Sequence, residues 1–202
     1  MSARTARGRR PGAPDTRAEV LAAARASFAE KGFRGTTIRA VAASAGVDPA
    51  LVHHYFEGKP ALFAQVMDLP VDPSALIDRV LARPREEVGA ALVRTFLDVW
   101  DSPAGRERFQ AVVRSAVSHD EAARMLRQFL TREIFGRIAT ELTPDHAAPG
   151  QPSAEVRAGL AAGQMLGMAM MRYIVDVPAV VSASQEELVT LVGPTIQRYL
   201  AP

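Results

Sequence analysis

From Thr16 onward, apolar residues recur at three- and four-residue intervals, the spacing that gathers them on one face of a 3.6-residue helix. Val20, Leu21, Ala24 and Phe28 share such a face. Thr16-Arg17-Ala18-Glu19 reads as a capping box that opens this helix, and Gly32 as the glycine that stops it. A short second helix is predicted from Thr37 to Ala45, with Ile38, Val41, Ala42 and Ala45 inward. Gly46-Val47 forms a tight turn, and Asp48-Pro49 starts a third helix with a good cap and a proline at its first position. Val52 and Phe56, four apart, then face inward, Gly58 breaks the helix, and Lys59 begins a fourth that Pro70 and Pro73 interrupt. Further helices are predicted over 85–100, 104–118, 120–142, 153–176 and 184–200, with Ser102-Pro103 and a capping box at Ser184–Glu187 marking starts. The Pro-, Ala- and Gly-rich stretch 143–152 is a loop. No strand-like alternation and no repeat stand out. The expected fold is all-α with about nine helices. Residues 1–14 form a disordered arm, 15–62 a three-helix helix-turn-helix domain, and 63–202 a larger helical domain.

Charge sharpens that division. Residues 1–60 hold ten basic side chains against five acidic ones, so with a total of +2 the remainder is net −3. A basic front that includes an Arg-rich arm suits a polyanion, and the alternative is an ordinary solvated tail. The absence of cysteine excludes disulfides and thiolate metal sites and favours a reducing compartment. With no apolar run of spanning length and no secretory leader pattern, a cytoplasmic protein with no membrane partner is expected.

Helix-turn-helix packing needs a small residue where two helices meet, a permissive turn and apolar anchors. Ala42, Gly46 and the trio Val41, Val47 and Val52 meet those needs. Alone, the pattern is shared by many helical hairpins. The longer run FAEKGFRGTTIRAVAASAGVDPALVHHYFEGKPALFAQVM, residues 28–67, resembles the N-terminal domain of the TetR (tetracycline-repressor-like) family. The matching elements are Phe28, Gly32, Phe33, Thr36-Thr37, Ile38, Val41-Ala42, Ala45-Gly46-Val47, Phe56, Lys59 and Leu62. The segments RYIVDVPAVV and LVTLVGPTIQRYL are similar to the last two helices of many actinobacterial members. The resemblance implies a ligand-responsive repressor that binds a palindromic double-stranded operator as a homodimer. An activator or a non-specific DNA-binding protein of the same fold is the alternative.

With Val52 and Phe56 inward, Ala50, His53 and His54 turn outward. Ala50 and Leu51 suit thymine methyls, and the histidines suit hydrogen bonds to bases or phosphates. Arg39 matches a family position that reaches the major groove. Thr37 and Lys59, at the starts of helices, are placed to hold phosphates, although Thr37 is first of all a cap. Tyr55, near the core-facing edge, is expected to be half structural. His53 replaces the tyrosine usual in the family, and the third helix lacks Arg, Lys, Asn and Gln, the common base readers.

In the second domain, Gly159, Gly163 and Gly167 fall four apart in one helix, which implies close approach by another helix. Leu188, Leu191, Val192, Thr195, Ile196 and Tyr199 share a face of the last helix. The resemblance implies that these two helices pair with their symmetry mates, and packing within one chain is the alternative. It also implies an inducer cavity, for which Phe96, Trp100, Phe109, Met125, Phe129, Met165, Met168 and Arg172 are the candidate lining residues for an apolar or amphipathic effector. Ordinary core packing competes for each, and Asp176 is a partner for Arg172 one turn away. An enzyme has only His119-Asp120 and Asp145-His146 to build on, with no catalytic motif, and neither cofactor nor metal is expected. A membrane-surface role is disfavoured because the apolar stretch 158–171 is short, glycine-rich and free of Lys and Arg.

Overall fold

The computed structural model describes residues 15–69, 72–142 and 152–200, whose regular structure is all helix, without strands. Helix α1 (Thr16–Gly35) begins one residue earlier than the capping box suggested. Asp15 is the cap, its carboxylate accepting from the Arg17 and Ala18 amides. Gly32 does adopt a left-handed φ of +69°, but it kinks α1 rather than ending it, and a further turn follows. The Thr36 hydroxyl closes the kink by donating to the Gly32 carbonyl at 3.0 Å.

Helices α2 (Ile38–Ala45) and α3 (Pro49–Tyr55) follow, joined through Gly46 in the left-handed region at φ +67°. Thr37 caps α2 by accepting from Ala40 N, and Asp48 caps α3 by accepting from Ala50 N at 2.7 Å. With α4 (Lys59–Val66), these helices form a head around Val20, Ala24, Phe28, Phe33, Val41, Val52, Phe56, Leu62 and Phe63.

The body comprises α5 (Pro73–Leu81), α6 (Val88–Trp100), α7 (Pro103–Ser118), α8 (Asp120–Phe129), α9 (Phe135–Leu142), α10 (Ala154–Tyr173), α11 (Pro178–Ser182) and α12 (Gln185–Leu200). Helices α5 and α11 lie beyond the expected set. Asp72 caps α5 as a separate helix, and Pro178 opens the short α11 after the left-handed Asp176 at φ 54°. The predicted helix over 120–142 is interrupted by a π turn at Leu130–Ile134. A Cβ on Gly136 would lie 2.2 Å from the Thr131 carbonyl oxygen, so the widened turn needs glycine there. The capping box at Ser184 is present, with Glu187 accepting from the Ser184 amide at 2.8 Å.

Helices α6 and α12 make the closest approach in the body. A Cβ on Gly89 would sit 2.4 Å from the Gly193 carbonyl oxygen and 2.6 Å from the Gln197 amide nitrogen. Gln197 ties the same point by accepting from Gly89 N at 2.7 Å and donating to the Arg85 carbonyl. The body core of Val88, Val93, Leu97, Ile138, Ala161, Met165, Ile196 and Leu200 surrounds this contact.

Head and body meet where α8 lies against the C-terminal half of α1. Arg124 donates to the Ala29 carbonyl, and the Gln128 amide oxygen accepts from Arg34 N at 3.2 Å beside Gly32. Met125 and Phe129, both on α8, are buried in the core of the head. Phe63 stacks on Phe129 with centroids 4.7 Å apart and meets Phe28 and Phe33 edge-on.

Candidate DNA-binding face and apolar chamber

Val52 and Phe56 are buried beneath α3, which turns Ala50, His53 and His54 to the exposed side and leaves Leu51 half-buried at the edge. The two imidazoles thus stand in the last turn of an open helix. Tyr55 is 38% exposed, and its ring lies near His54 at 5.4 Å and Phe56 at 6.3 Å between centroids. Arg39 is exposed on α2. The Thr37 hydroxyl oxygen accepts from Ala40 N, yet its own proton remains a donor that a phosphate can receive.

Lys59 differs from the expectation. Its ammonium turns inward, donates to the Phe33 and Thr36 carbonyls at 3.1 and 3.2 Å, and lies 4.6 Å from the Phe33 ring centroid. Burial pushes it below the usual lysine range, with Glu133 opposing that shift and Arg132 adding to it. The side chain caps the end of α1 because those carbonyls lack helical partners. Its backbone N–H stands in the first turn of α4.

Behind the head, α5, α6, α7, α8, the π turn, the start of α9 and α10 line a partly open apolar chamber of about 290 Å³. Five of the candidate residues line it: Phe96, Trp100, Phe109, Phe129 and Met165. Phe109 meets both the Phe96 and Trp100 rings edge-on. Among the lining residues Thr95 and the Trp100 indole N–H alone offer polar side-chain atoms. Three candidates lie elsewhere. Met125 packs into the head core, and Met168 into the body core. Sequence reasoning missed the wall contributed by α5 and the π turn (Leu76, Ile77, Leu130 and Ile134), because α5 read as a continuation of α4 and the turn as plain α-helix.

Arg172 is the third displaced candidate. It is buried, and its guanidinium makes a bidentate pair with Asp101 at 2.8 and 3.0 Å. The same group donates to the Val180, Val181 and Ala183 carbonyls, and Tyr173 donates to Asp101 at 2.8 Å. Asp176, the nearby alternative, pairs with Arg106 instead. Arg172 therefore fastens α11 to the end of α6. Burial acts to raise the Asp101 carboxyl, but hydrogen bonds from Arg172 and Tyr173 and the charges of Arg172 and Arg106 outweigh it and hold the group below its ordinary range. Stability from this carboxylate is present above the ordinary aspartate range and is lost as pH falls through the lower folded-state value. Arg172→Ala is expected to cost about 3 kcal/mol at pH 7, the low end for breaking a buried pair because Asp101 is partly exposed. Urea unfolding checks this, and the gap from wild type should narrow towards acid pH.

The glycine stripe has no neighbouring helix within the protomer, so the alternative of packing within one chain does not hold for it. Gly159, Gly163 and Gly167 are exposed, and a Cβ on any of them would meet nothing within 4 Å. Around them α10 exposes Val156, Leu160, Leu166 and Met171, and α12 exposes Leu191 at 73%. Of the other α12 candidates, Leu188 and Ile196 belong to the protomer's own core, Val192 and Tyr199 pack against it, and Thr195 is half-buried. Of the enzyme's scraps, His119 and Asp120 are exposed at the α7–α8 junction, whereas Asp145 and His146 lie outside the described residues. No helix among the described residues is long and apolar enough to cross a membrane.

The comparisons agree with this architecture. Residues 20–66 match the family described as bacterial regulatory proteins, tetR family, and residues 86–200, more than half the chain, match the tetracyclin repressor-like C-terminal domain. The HTH-type transcriptional regulator BetI of Brucella anthropi is 36% identical over 88 residues, covering 41% of this chain and 45% of its own length. An HTH-type transcriptional regulator of Mycobacterium bovis is 35% identical over 133 residues, covering 65% of this chain and 61% of its own length. The chain thus spans under two thirds of either relative. Among solved structures, a transcriptional regulator of Streptomyces coelicolor A3(2) shares the fold at a TM-score of 0.50 and 19% identity, covering 94% of this chain and all of that one. The chain belongs to the TetR family of bacterial regulatory proteins.

Proposed function

We propose that this regulator binds a palindromic operator as a homodimer, represses from it, and is released by a small apolar or amphipathic effector held in the chamber. The observation that carries the ligand response is the position of Phe129. One ring belongs both to the chamber wall and to the aromatic core of the head. An effector that displaces it acts on Phe63 of α4 and Phe33 of α1 in the same step. Ligand then favours head positions that no longer match adjacent grooves, a shift of population between two arrangements. The interrupted fourth helix shares this role with α8, since Phe63 and Phe129 are stacked partners.

On the DNA side, Ala50, Leu51, His53, His54 and Tyr55 face bases and backbone, with Arg39, the Thr37 hydroxyl and the Lys59 backbone N–H at the flanks. On the dimer side, Gly159, Gly163, Gly167 and Leu191 form the centre of the interface, which removes their apolar surroundings from water. Two heads then read half-sites one helical turn, about 34 Å, apart.

The test is binding of the purified chain to DNA flanking its own gene, against a random duplex, across a salt series. A preference of about a thousandfold, with two protomers per site, is the expected result. Equal and steeply salt-dependent binding to both duplexes means phosphate contact alone and removes the operator reading for that fragment. No binding to either at low salt overturns the proposal.

A further inference from the structure

We infer that the effector is an anionic amphiphile, its apolar part in the chamber and its charged end in an adjoining arginine-lined groove. This inference rests on the chamber being the effector site. The groove, of about 790 Å³, runs between α5 and α6 and shares Leu76, Thr95 and Val99 with the chamber. The chamber alone lies at the small end for a ligand pocket, and Thr95 and the Trp100 indole N–H are its only polar side-chain groups, neither of them charged. Pockets of this kind fix orientation through a few placed polar groups, and the groove supplies them immediately beyond Thr95.

The groove's charges are unevenly matched. Arg94 forms a bidentate pair with Glu186, which lies outside the groove lining. Asp98 accepts from the Gln185 amide at 2.6 Å. Arg79 and Arg83 have no ion pair among the described residues, and Glu87 is the remaining carboxylate of the lining. Both arginines are exposed and line the groove, Arg79 in the last turn of α5 and Arg83 just beyond its cap, so a carboxylate or phosphate seated in the groove meets positive charge there. A neutral apolar molecule fills the chamber and leaves this pair unused. An anionic head adds charge-assisted hydrogen bonds at the chamber's edge.

Trp100 lines the chamber and is the chain's single tryptophan, so its emission reports occupancy directly. The full chain is titrated with dodecanoate, dodecyl phosphate and dodecanol below their micelle concentrations, as wild type and as Arg79→Gln/Arg83→Gln. All three probes are expected to shift Trp100 emission, with at least one anion binding about tenfold more tightly than the alcohol. The tighter of the two anions identifies carboxylate or phosphate as the preferred head. In the double variant the anion's advantage disappears and dodecanol affinity stays unchanged. Equal affinities in wild type, or an advantage that survives the double substitution, overturn the anionic head while leaving the apolar chamber standing. Silence from Trp100 with every probe overturns the chamber as the effector site and this inference with it.

Discussion

Replacing Gly89 with alanine is expected to cost about 3 kcal/mol or more, although the same change in an open helix adds up to about 1 kcal/mol of helix propensity. The sign reverses because the new Cβ meets the Gly193 carbonyl oxygen at 2.4 Å and the Gln197 amide nitrogen at 2.6 Å. Both obstacles are backbone, so no side-chain rotation relieves them, and α6 and α12 must separate. Their separation also breaks the Gln197 bridge to Gly89 and Arg85. Gly159→Ala provides the contrast, because its Cβ enters open space within the protomer. Protomer stability should rise there by roughly 0.5–1 kcal/mol. Urea unfolding of the two variants measures both changes, and a neutral Gly89→Ala would refute the locked α6–α12 contact. Any loss of dimer in Gly159→Ala, followed by sedimentation, belongs to the proposed interface rather than to folding.

Truncating Phe129 is expected to have a comparable effect for a different reason. Phe129→Ala removes a ring that is 1% exposed and stacked on Phe63, a loss in the range of about 3–5 kcal/mol for a buried phenylalanine. It also enlarges the chamber at the wall nearest the head. Phe129→Leu keeps much of the volume, folds, and separates the two roles. With the stack gone, that variant should retain operator affinity and need more effector for release, read as the effector concentration that halves operator binding. An unchanged release concentration in Phe129→Leu removes Phe129 from the coupling path.

The head was legible because its signals are local. Thr37 and Asp48 cap helices that begin one residue later, and Gly46 takes the left-handed turn between them. The outward set on α3 follows from burying Val52 and Phe56. Lys59 was misread because its carbonyl partners lie 23 and 26 residues away, a distance that no local pattern encodes. The same limit hid Asp101 from Arg172, 71 residues apart, while Asp176 stood conspicuously near in sequence. Glycine spacing pointed to close packing, yet the pair that packs within the protomer is Gly89 with Gly193, one from each of two distant helices. Methionine was equally ambiguous: Met165 belongs to the body core and also lines the chamber, whereas Met168, three residues on, belongs to the core alone. The chamber's aromatic wall was recoverable because Phe96 and Trp100 share a helical face.

The way α8 completes the head bears on how such regulators can be recombined. A graft that exchanges residues 15–62 for the reading head of a relative cuts through α4 and leaves Met125 and Phe129 facing a foreign surface. The transferable module is discontinuous in sequence, because it includes the side of α8 that carries Arg124, Met125, Gln128 and Phe129. Chimeras that carry those four positions with the head should inherit an intact joint, so a new head can be joined to an existing body without rebuilding the surface between them.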